Sequence, residues 1–341
     1  LDYNLFFSFC TVFLGEIIME QQQFSLPDFL PPLLEQQYGG EWTARILAGY
    51  QCSRAVTLRV NPLRGEREQM LAELRTAGLA PEPVAWYQDA FLLPHAKEAE
   101  VEGLPLYQQG QVYLQSLSSM LPPLVLDPQP GQDILDMAAA PGGKTTQLAA
   151  LAGNRCRITA CERNPIRAER LKYNLTRQGA SCAYVMVTDA RDLDDGFSFD
   201  RILLDAPCSG SGTLSAQTGA GGFSRTLVEK SVERQRGLLR KALGLLKVGQ
   251  ELVYSTCSIL EEENEGALRA VLGAHVELVP IQGDWLEALP LLPTSLPGTV
   301  CVCPDERFEG FFVAKLRKTG PVSFPKEKRQ KSGARRNRRG R

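Results

Sequence analysis

From residue 133 to residue 279, short apolar runs alternate with longer segments whose apolar positions recur every three or four residues. The runs predict strands at 133–138, 157–161, 183–188, 199–205 and 250–256. The segments between them predict helices at about 144–152, 165–178 and 229–247. A helix at 261–273, a strand at 275–279 and a last strand at 309–316 follow. Such alternation predicts a doubly wound α/β domain with ligands at the C-terminal ends of its strands. The pattern upstream is different. A helix starts at Pro27 and runs to about residue 37, Gly39-Gly40 stops it, and 42–47 suggests a second short helix. A strand at 56–61, a helix at 66–76 closed by Gly78 and a strand at 84–93 complete a smaller α+β domain. Residues 107–121 read as a linker helix ended by Pro122-Pro123. The chain therefore divides into an atypical extension (1–24), a small α+β domain (25–105), a linker (106–130), the α/β domain (131–319) and a basic tail (320–341).

Residues 133–146 organise the larger domain. The first strand breaks into a turn of small residues, Ala138-Ala139-Ala140-Pro141-Gly142-Gly143, and then into a helix beginning near Lys144. A turn so lightly clothed lets backbone amides approach a bound cofactor. Acidic residues then recur at strand ends: Glu162 after the second, Asp189 after the third and Asp205 after the fourth. Glu162 could accept both hydroxyl protons of a ribose, and Asp189 could accept from an adenine amino group. The spacing to Glu162 also suits an NAD enzyme, and any one carboxylate could be a helix cap. Together, three acidic strand ends around one turn favour an adenosyl cofactor without a pyrophosphate, S-adenosylmethionine rather than NAD.

Two cysteines sit just past strand ends, Cys208 after the fourth and Cys257 after the fifth; if those strands are neighbours, both thiols meet at one edge of the pocket. Buried, inert thiols are the ordinary alternative. Beside a methyl donor, however, a thiolate has a use: adding to C6 of cytosine makes the otherwise sluggish C5 nucleophilic. The segment 211–227, glycine-rich at 219–222, is predicted to be a mobile loop over this site.

Composition narrows the partner. The apolar content of 43% and charged content of 23% are those of an ordinary soluble protein. The net charge of −1 conceals a split: residues 326–341 hold nine Lys or Arg against one Glu, a charge of +8 that leaves −9 on residues 1–325. A tail of this kind suits a polyanion. Arg59 and Arg64, which bracket Asn61-Pro62, could also face one, although single arginines are ordinary surface residues. The nine cysteines have no disulfide or zinc spacing and only His95 and His275 accompany them. That predicts no metal, free thiols and a reducing, cytoplasmic setting. The apolar run 5–12 lacks a basic leader and is flanked by Asp2 and Glu16, against a signal peptide or membrane span; Met19 looks the more natural start.

The motifs together resemble the RNA cytosine-C5 methyltransferase family, the bacterial rRNA methylases and NOP2/Sun proteins. The resemblance is carried by Leu-Arg-Val-Asn-Pro-Leu-Arg (58–64), Ala-Ala-Pro-Gly-Gly-Lys-Thr (139–145) and Asp-Ala-Pro-Cys-Ser-Gly-Ser-Gly-Thr (205–213). It is also carried by Tyr-Ser-Thr-Cys-Ser (254–258), Glu-Glu-Asn-Glu (262–265) and Glu-Gly-Phe-Phe-Val-Ala-Lys-Leu (309–316). It implies a class I S-adenosylmethionine-dependent methyltransferase domain and an RNA partner, with rRNA preferred over tRNA. Neither membrane nor metal is implied, and the protein is expected to be a monomer. By that resemblance Cys257 attacks C6, Cys208 assists product release, and Asp205 holds the N3/N4 edge of the base. Lys144 touches the base or its phosphate surroundings, Ala138 to Gly143 wrap the methionine part, Glu162 binds ribose and Asp189 adenine. Two departures stand out: Ala138 where the family often has cysteine, and a Gly-rich sequence after Thr213 where relatives carry a basic residue and proline. A tRNA methyltransferase and an RNA-binding ribosome assembly factor are the alternatives.

Deleting residues 320–341 is expected to raise the KM for RNA and flatten its salt dependence without abolishing methyl transfer. Binding unchanged across a salt titration would contradict this role for the tail.

Overall fold

The computed structural model describes residues 26–217 and 219–324. The expectations for the 1–24 extension, for Met19 and for residues 325–341 of the tail lie outside the described residues. The described chain opens with α1 (Leu30–Tyr38) and α2 (Gly40–Gln51), hinged at Gly39 with φ +81°. It continues through β1 (Val56–Val60), α3 (Arg67–Thr76), β2 (Glu82–Val84), β3 (Tyr87–Leu93), α4 (Glu98–Glu102), α5 (Pro105–Gln108) and β4 (Val112–Leu114). The four strands form an antiparallel sheet in the order β2-β3-β1-β4. Met70, Leu71 and Leu74 of α3 close its core against Leu58, Val60, Phe91, Leu93 and Val112.

Three local expectations are corrected here. The predicted strand at 84–93 is a hairpin, β2 and β3, whose ends pair Val84 with Tyr87. The predicted helix at 107–121 is three elements. The short α5 stops before Gly110 (φ +74°), Val112, Tyr113 and Leu114 add a strand, and α6 (Leu117–Leu126) follows. Pro122 and Pro123 lie inside α6 and do not end it. Pro123 supplies no amide to the carbonyl four residues back, and Ser119 O is served instead by Gln115 Nε2 at 3.1 Å. Finally, α2 runs well past the predicted 42–47, and both α1 and α2 pack on the large unit: Leu30, Leu34, Ile46 and Tyr50 share a core with Phe223, Ile259 and Phe312.

The large unit comprises β5 (Asp133–Asp136), α7 (Gly143–Leu151), β6 (Arg157–Cys161), α8 (Pro165–Gln178), β7 (Ala183–Met186), β8 (Phe199–Asp205) and α9 (Arg225–Leu245). After these come β9 (Leu246–Thr256), α10 (Glu265–Arg269), β10 (Val276–Val279), β11 (Leu291–Leu292), β12 (Val300–Val302) and β13 (Phe311–Lys318). Strand order is β11-β12-β13-β9-β8-β5-β6-β7, with β10 also on β13. Strands β5 to β9 are parallel and β13 runs antiparallel to β9. Successive side chains go to opposite faces: Leu135, Ile202, Leu204, Leu252 and Tyr254 join the α9 core, and Ile134, Leu203 and Val253 join the core beneath α6, α7 and α8. This is the predicted doubly wound α/β architecture. Its order reverses between β5 and β8, which opens a crevice at their C-terminal ends.

Two further readings change. The predicted helix at 261–273 is helical only over α10, because Asn264 takes φ −105°, ψ −101° at its start. The segment 211–227 is packed and does not lie free over the site: Ser211, Leu214, Ser215 and Phe223 are buried, and Ala216 N donates to Tyr50 O at 2.8 Å.

The small sheet docks on the large unit through the stretch after β1. Buried Asn61 donates through Nδ2 to Gly110 O and Gln178 O, both at 2.8 Å. Arg64 donates to Thr176 O at 2.6 Å and Arg177 O at 3.0 Å, capping the end of α8. Replacing Asn61 by alanine would leave these buried carbonyls without their donor. Asn61→Ala should therefore lose about 2–3 kcal/mol, read as a lower urea midpoint; an unchanged midpoint would show the joint to be dispensable.

Candidate active site

The turn after β5 is held open by its neighbours. Gly142 stands at φ +113°, in the left-handed region, and a Cβ there would meet Leu171 Cδ1 at 3.0 Å. Asn174 Nδ2 donates to Pro141 O and Arg167 Nη2 to Ala140 O, each at 2.8 Å. Ala139 N bonds Cys161 O at 2.9 Å. These bonds consume the turn's outward carbonyls and leave its inner face bare. That face lines a cavity of about 190 Å³, together with Gln115, Ser119, Asp136, Lys144 and Asp205.

Asp136 closes the floor of this cavity and is 1% exposed. Its Oδ2 accepts from Thr145 Oγ1 at 2.7 Å, while its Oδ1 has no partner. Burial pushes its carboxyl up to about 6, against the pull of the Thr145 bond and with a further push from Asp205.

A second cavity, about 100 Å³, lies between Ala138, Glu162, Asp189, Pro207 and Leu238. Glu162 is buried and accepts from Asn164 N at 2.8 Å. Asp189 lines the cavity and also caps the turn that follows it, accepting from Arg191 N and Nε at 3.0 Å and from Nη2 at 2.6 Å. The Arg191 bonds hold its carboxyl down at about 2. Ala138 lines both cavities, so the two adjoin beneath the turn.

At the other wall, Asp205 and Ser255 are register partners on β8 and β9, and Ser255 Oγ donates to Asp205 Oδ1 at 2.7 Å. Lys144 Nζ sits 2.7 Å from Asp205 Oδ2 and 2.7 Å from Ser119 Oγ, over the Phe311 ring. Beyond these strand ends the sulfurs of Cys208 and Cys257 are 3.1 Å apart. The bond to Cys257, then burial, then the charge of Cys257 and Glu263, push the Cys208 thiol well above its ordinary value.

Glu263 fixes the two sulfur-bearing loops to one another. It is fully buried. Its carboxylate accepts from Ser209 N at 2.7 Å, Ser209 Oγ at 2.5 Å, Ser258 Oγ at 2.6 Å and Gln235 Nε2 at 3.3 Å. Ser209 follows Cys208 and Ser258 follows Cys257. Asn264 adds a bond from Nδ2 to Ser258 O at 2.9 Å. The backbone completes the joint: Gly212 N donates to Cys257 O at 3.0 Å, and a Cβ on Gly212 would fall 2.0 Å from Gly310 O.

Each residue singled out from the sequence therefore stands in one continuous region: Ala138 to Lys144, Glu162 and Asp189 along the paired cavities, and Asp205, Cys208 and Cys257 at one end. Arg59 does not face outward as expected. It is fully buried behind α7, with Nη2 donating to Thr146 Oγ1 at 3.1 Å and Nε to Gln115 Oε1 at 3.3 Å. Sequence reasoning missed Asp136, Ser119, Ser255 and Glu263 as parts of the site. Glu263 had a signal only in its motif, since a glutamate amid other acids reads as a solvated helix face.

Residues 123–317 match the family model described as 16S rRNA methyltransferase RsmB/F. Residues 26–100 match a model for the ferredoxin-like domain of RsmF/B-like methyltransferases. The ribosomal RNA small subunit methyltransferase F of Shewanella sediminis is 35% identical over 296 residues, covering 81% of this chain and 60% of that protein. Its counterpart from Shewanella piezotolerans is 33% identical over 297 residues with the same coverage. The chain thus spans about 60% of the length of these curated relatives. A methyltransferase homolog protein from Pyrococcus horikoshii superposes with a TM-score of 0.73 at 32% identity, covering 86% of this chain and all of that one. NSun6 from Pyrococcus horikoshii, solved with SFG, gives a TM-score of 0.77 at 23% identity, over 86% of this chain and 99% of that one, a likeness of fold.

Glu263→Gln puts an N–H among donors and forfeits at least one of the bonds that hold the loops. It should cost about 3 kcal/mol in urea unfolding and slow diamide-driven joining of Cys208 to Cys257. An unmoved midpoint with an unchanged joining rate would refute the clamp.

Proposed function

The chain belongs to the 16S rRNA methyltransferase RsmB/F family, and on that footing we propose that it methylates C5 of a cytosine in 16S rRNA with S-adenosylmethionine as donor. The observation that carries the reading is the pair of thiols 3.1 Å apart at the ends of neighbouring strands, beside the Asp205–Lys144 pair.

The cofactor fits the residues present. Its elongated form, a nucleoside joined to an amino acid, matches two cavities that adjoin at Ala138. Glu162 and Asp189 would take the ribose and adenine edges at one end. At the other, the unpartnered Asp136 Oδ1 offers a buried acceptor for an ammonium group, with Ala139 to Lys144 closing around the amino-acid part. When bound, the cofactor supplies an electrophilic methyl group for C5.

The chain's own residues do the rest. The Cys257 thiolate forms a bond to C6, and the electron pair displaced from the C5–C6 double bond makes C5 the nucleophile. Asp205, kept in place by Ser255 and Lys144, holds the N3/N4 edge and stabilises the adduct in which N3 has taken up a proton from solvent. After methylation the C5 proton must leave and the C6–S bond must break. Cys208 passes its proton to the departing Cys257 sulfur and takes up the proton from C5; the protons on N3 and on Cys257 then return to solvent, so that 5-methylcytosine is released and the starting thiol–thiolate pair is restored. The cytosine has to leave its stack to reach the thiols, which a loop or junction in the RNA makes easier.

A ribosome assembly factor needs neither an intact thiol pair nor the paired cavities, so both features favour the enzyme. The test is transfer from labelled S-adenosylmethionine to undermodified 16S rRNA, free and in 30S particles. Cys257→Ala should reduce labelling to background, and Cys208→Ala should accumulate a denaturant-stable enzyme–RNA adduct that Cys257→Ala never forms. The reverse pattern would overturn the two roles. Labelling of tRNA alone would keep the chemistry and replace the substrate.

A further inference from the structure

The nucleoside cavity is lined by four arginines, Arg163, Arg167, Arg191 and Arg234, against two carboxylates, Glu162 and Asp189. Two of the arginines are occupied. Arg167 donates to Ala140 O at 2.8 Å and stands 3.5 Å from Glu162, and Arg191 is bonded to Asp189. Arg163 and Arg234 make no hydrogen bond or ion pair with any described residue. Arg234 is half-buried, and its guanidinium is lowered by burial and by repulsion from Arg163 and Arg191, with Asp189 only partly offsetting this.

These two charges have no use in holding the cofactor. A nucleoside is uncharged and a sulfonium is positive, so surplus cations at the mouth of its cavity work against binding unless an anion joins them. The position says which anion. Gln235, the neighbour of Arg234 on α9, donates to Pro207 O at 3.1 Å, and Pro207 directly precedes Cys208. Arg234 is thereby fixed next to the loop that carries one of the two thiols. A nucleotide whose base enters at Cys208 and Cys257 must bring its flanking phosphates past this rim.

We propose that Arg163 and Arg234 bind backbone phosphate of the RNA substrate, so that the strand runs across the mouth of the cofactor cavity. This rests on the RNA-methylation reading above and adds the path of the strand. It also implies an order: cofactor enters first, and bound RNA slows its departure.

The test uses the full chain and the variants Arg163→Gln, Arg234→Gln and the double variant. Affinity for undermodified 16S rRNA is measured from 50 to 300 mM KCl, and affinity for S-adenosylhomocysteine by calorimetry. Each substitution should reduce the slope of log K against log salt by about 1, and the double variant by about 2. Affinity for S-adenosylhomocysteine should not fall, and its dissociation from the wild-type protein should slow when RNA is present. Arg163 is exposed, so its single variant keeps the question answerable if Arg234→Gln fails to fold. Unchanged salt slopes with normal wild-type RNA binding would overturn this inference alone. A wild-type protein that neither binds nor methylates RNA would overturn the functional reading as well. Tight AMP binding that the double variant loses while keeping its RNA slope would assign the arginines to a free nucleotide.

Discussion

A buried carboxylate cannot stand without donors, because taking its charge out of water costs several kcal/mol unless hydrogen bonds replace the lost hydration. Glu263 answers this demand with bonds drawn from three places: the loop after β8, the loop after β9 and the middle of α9. Its own carbonyl is also taken, by Tyr254 Oη at 2.6 Å. The two thiols inherit their spacing from this arrangement, and their own contact at 3.1 Å spans the loops that it holds together. The reactive groups are placed by a residue that touches none of the proposed chemistry.

A comparable demand joins the two units. Arg59 comes from the small sheet, yet its guanidinium is buried under α7, where it bonds Thr146 and Gln115 and lies 5.9 Å from the Tyr113 ring. Gln115 in turn reaches Gln147 at 3.0 Å, and Gln147 reaches Met120 O at 2.9 Å. This polar seam runs behind the helix that starts at the bare turn. The small unit therefore helps to position the helix that starts at the bare turn and is more than an appendage.

Much of the large unit was legible in the sequence because parallel strands buried on both faces read as uninterrupted apolar runs. The turn after β5 and the acids at strand ends were legible for a related reason: their residue types are unusual at those places. What escaped was settled by tertiary contacts. Pro122 and Pro123 should break a helix, and the partner that takes the carbonyl Pro123 leaves without an amide, Gln115, lies outside the helix and eight residues earlier. Arg59 and Glu263 carry charges that local pattern assigns to solvent, and the partners that bury them are distant in sequence. The strands β11 and β12 are too short to leave a periodic trace. Asp189 shows that a cap and a cavity wall can be the same residue.

The position of β13 has a consequence for how the protein comes into being. It is the last strand of the described chain, yet it lies inside the sheet, with β9 along one edge and β10 and β12 along the other. During synthesis every element that builds the paired cavities emerges before the strand that backs the cysteine loops, and Gly310, just ahead of β13, must arrive to close against Gly212. Pairings between distant segments form late. A nascent chain thus holds a nearly complete crevice while its two thiols remain unaligned, and their alignment comes only with the insertion of β13.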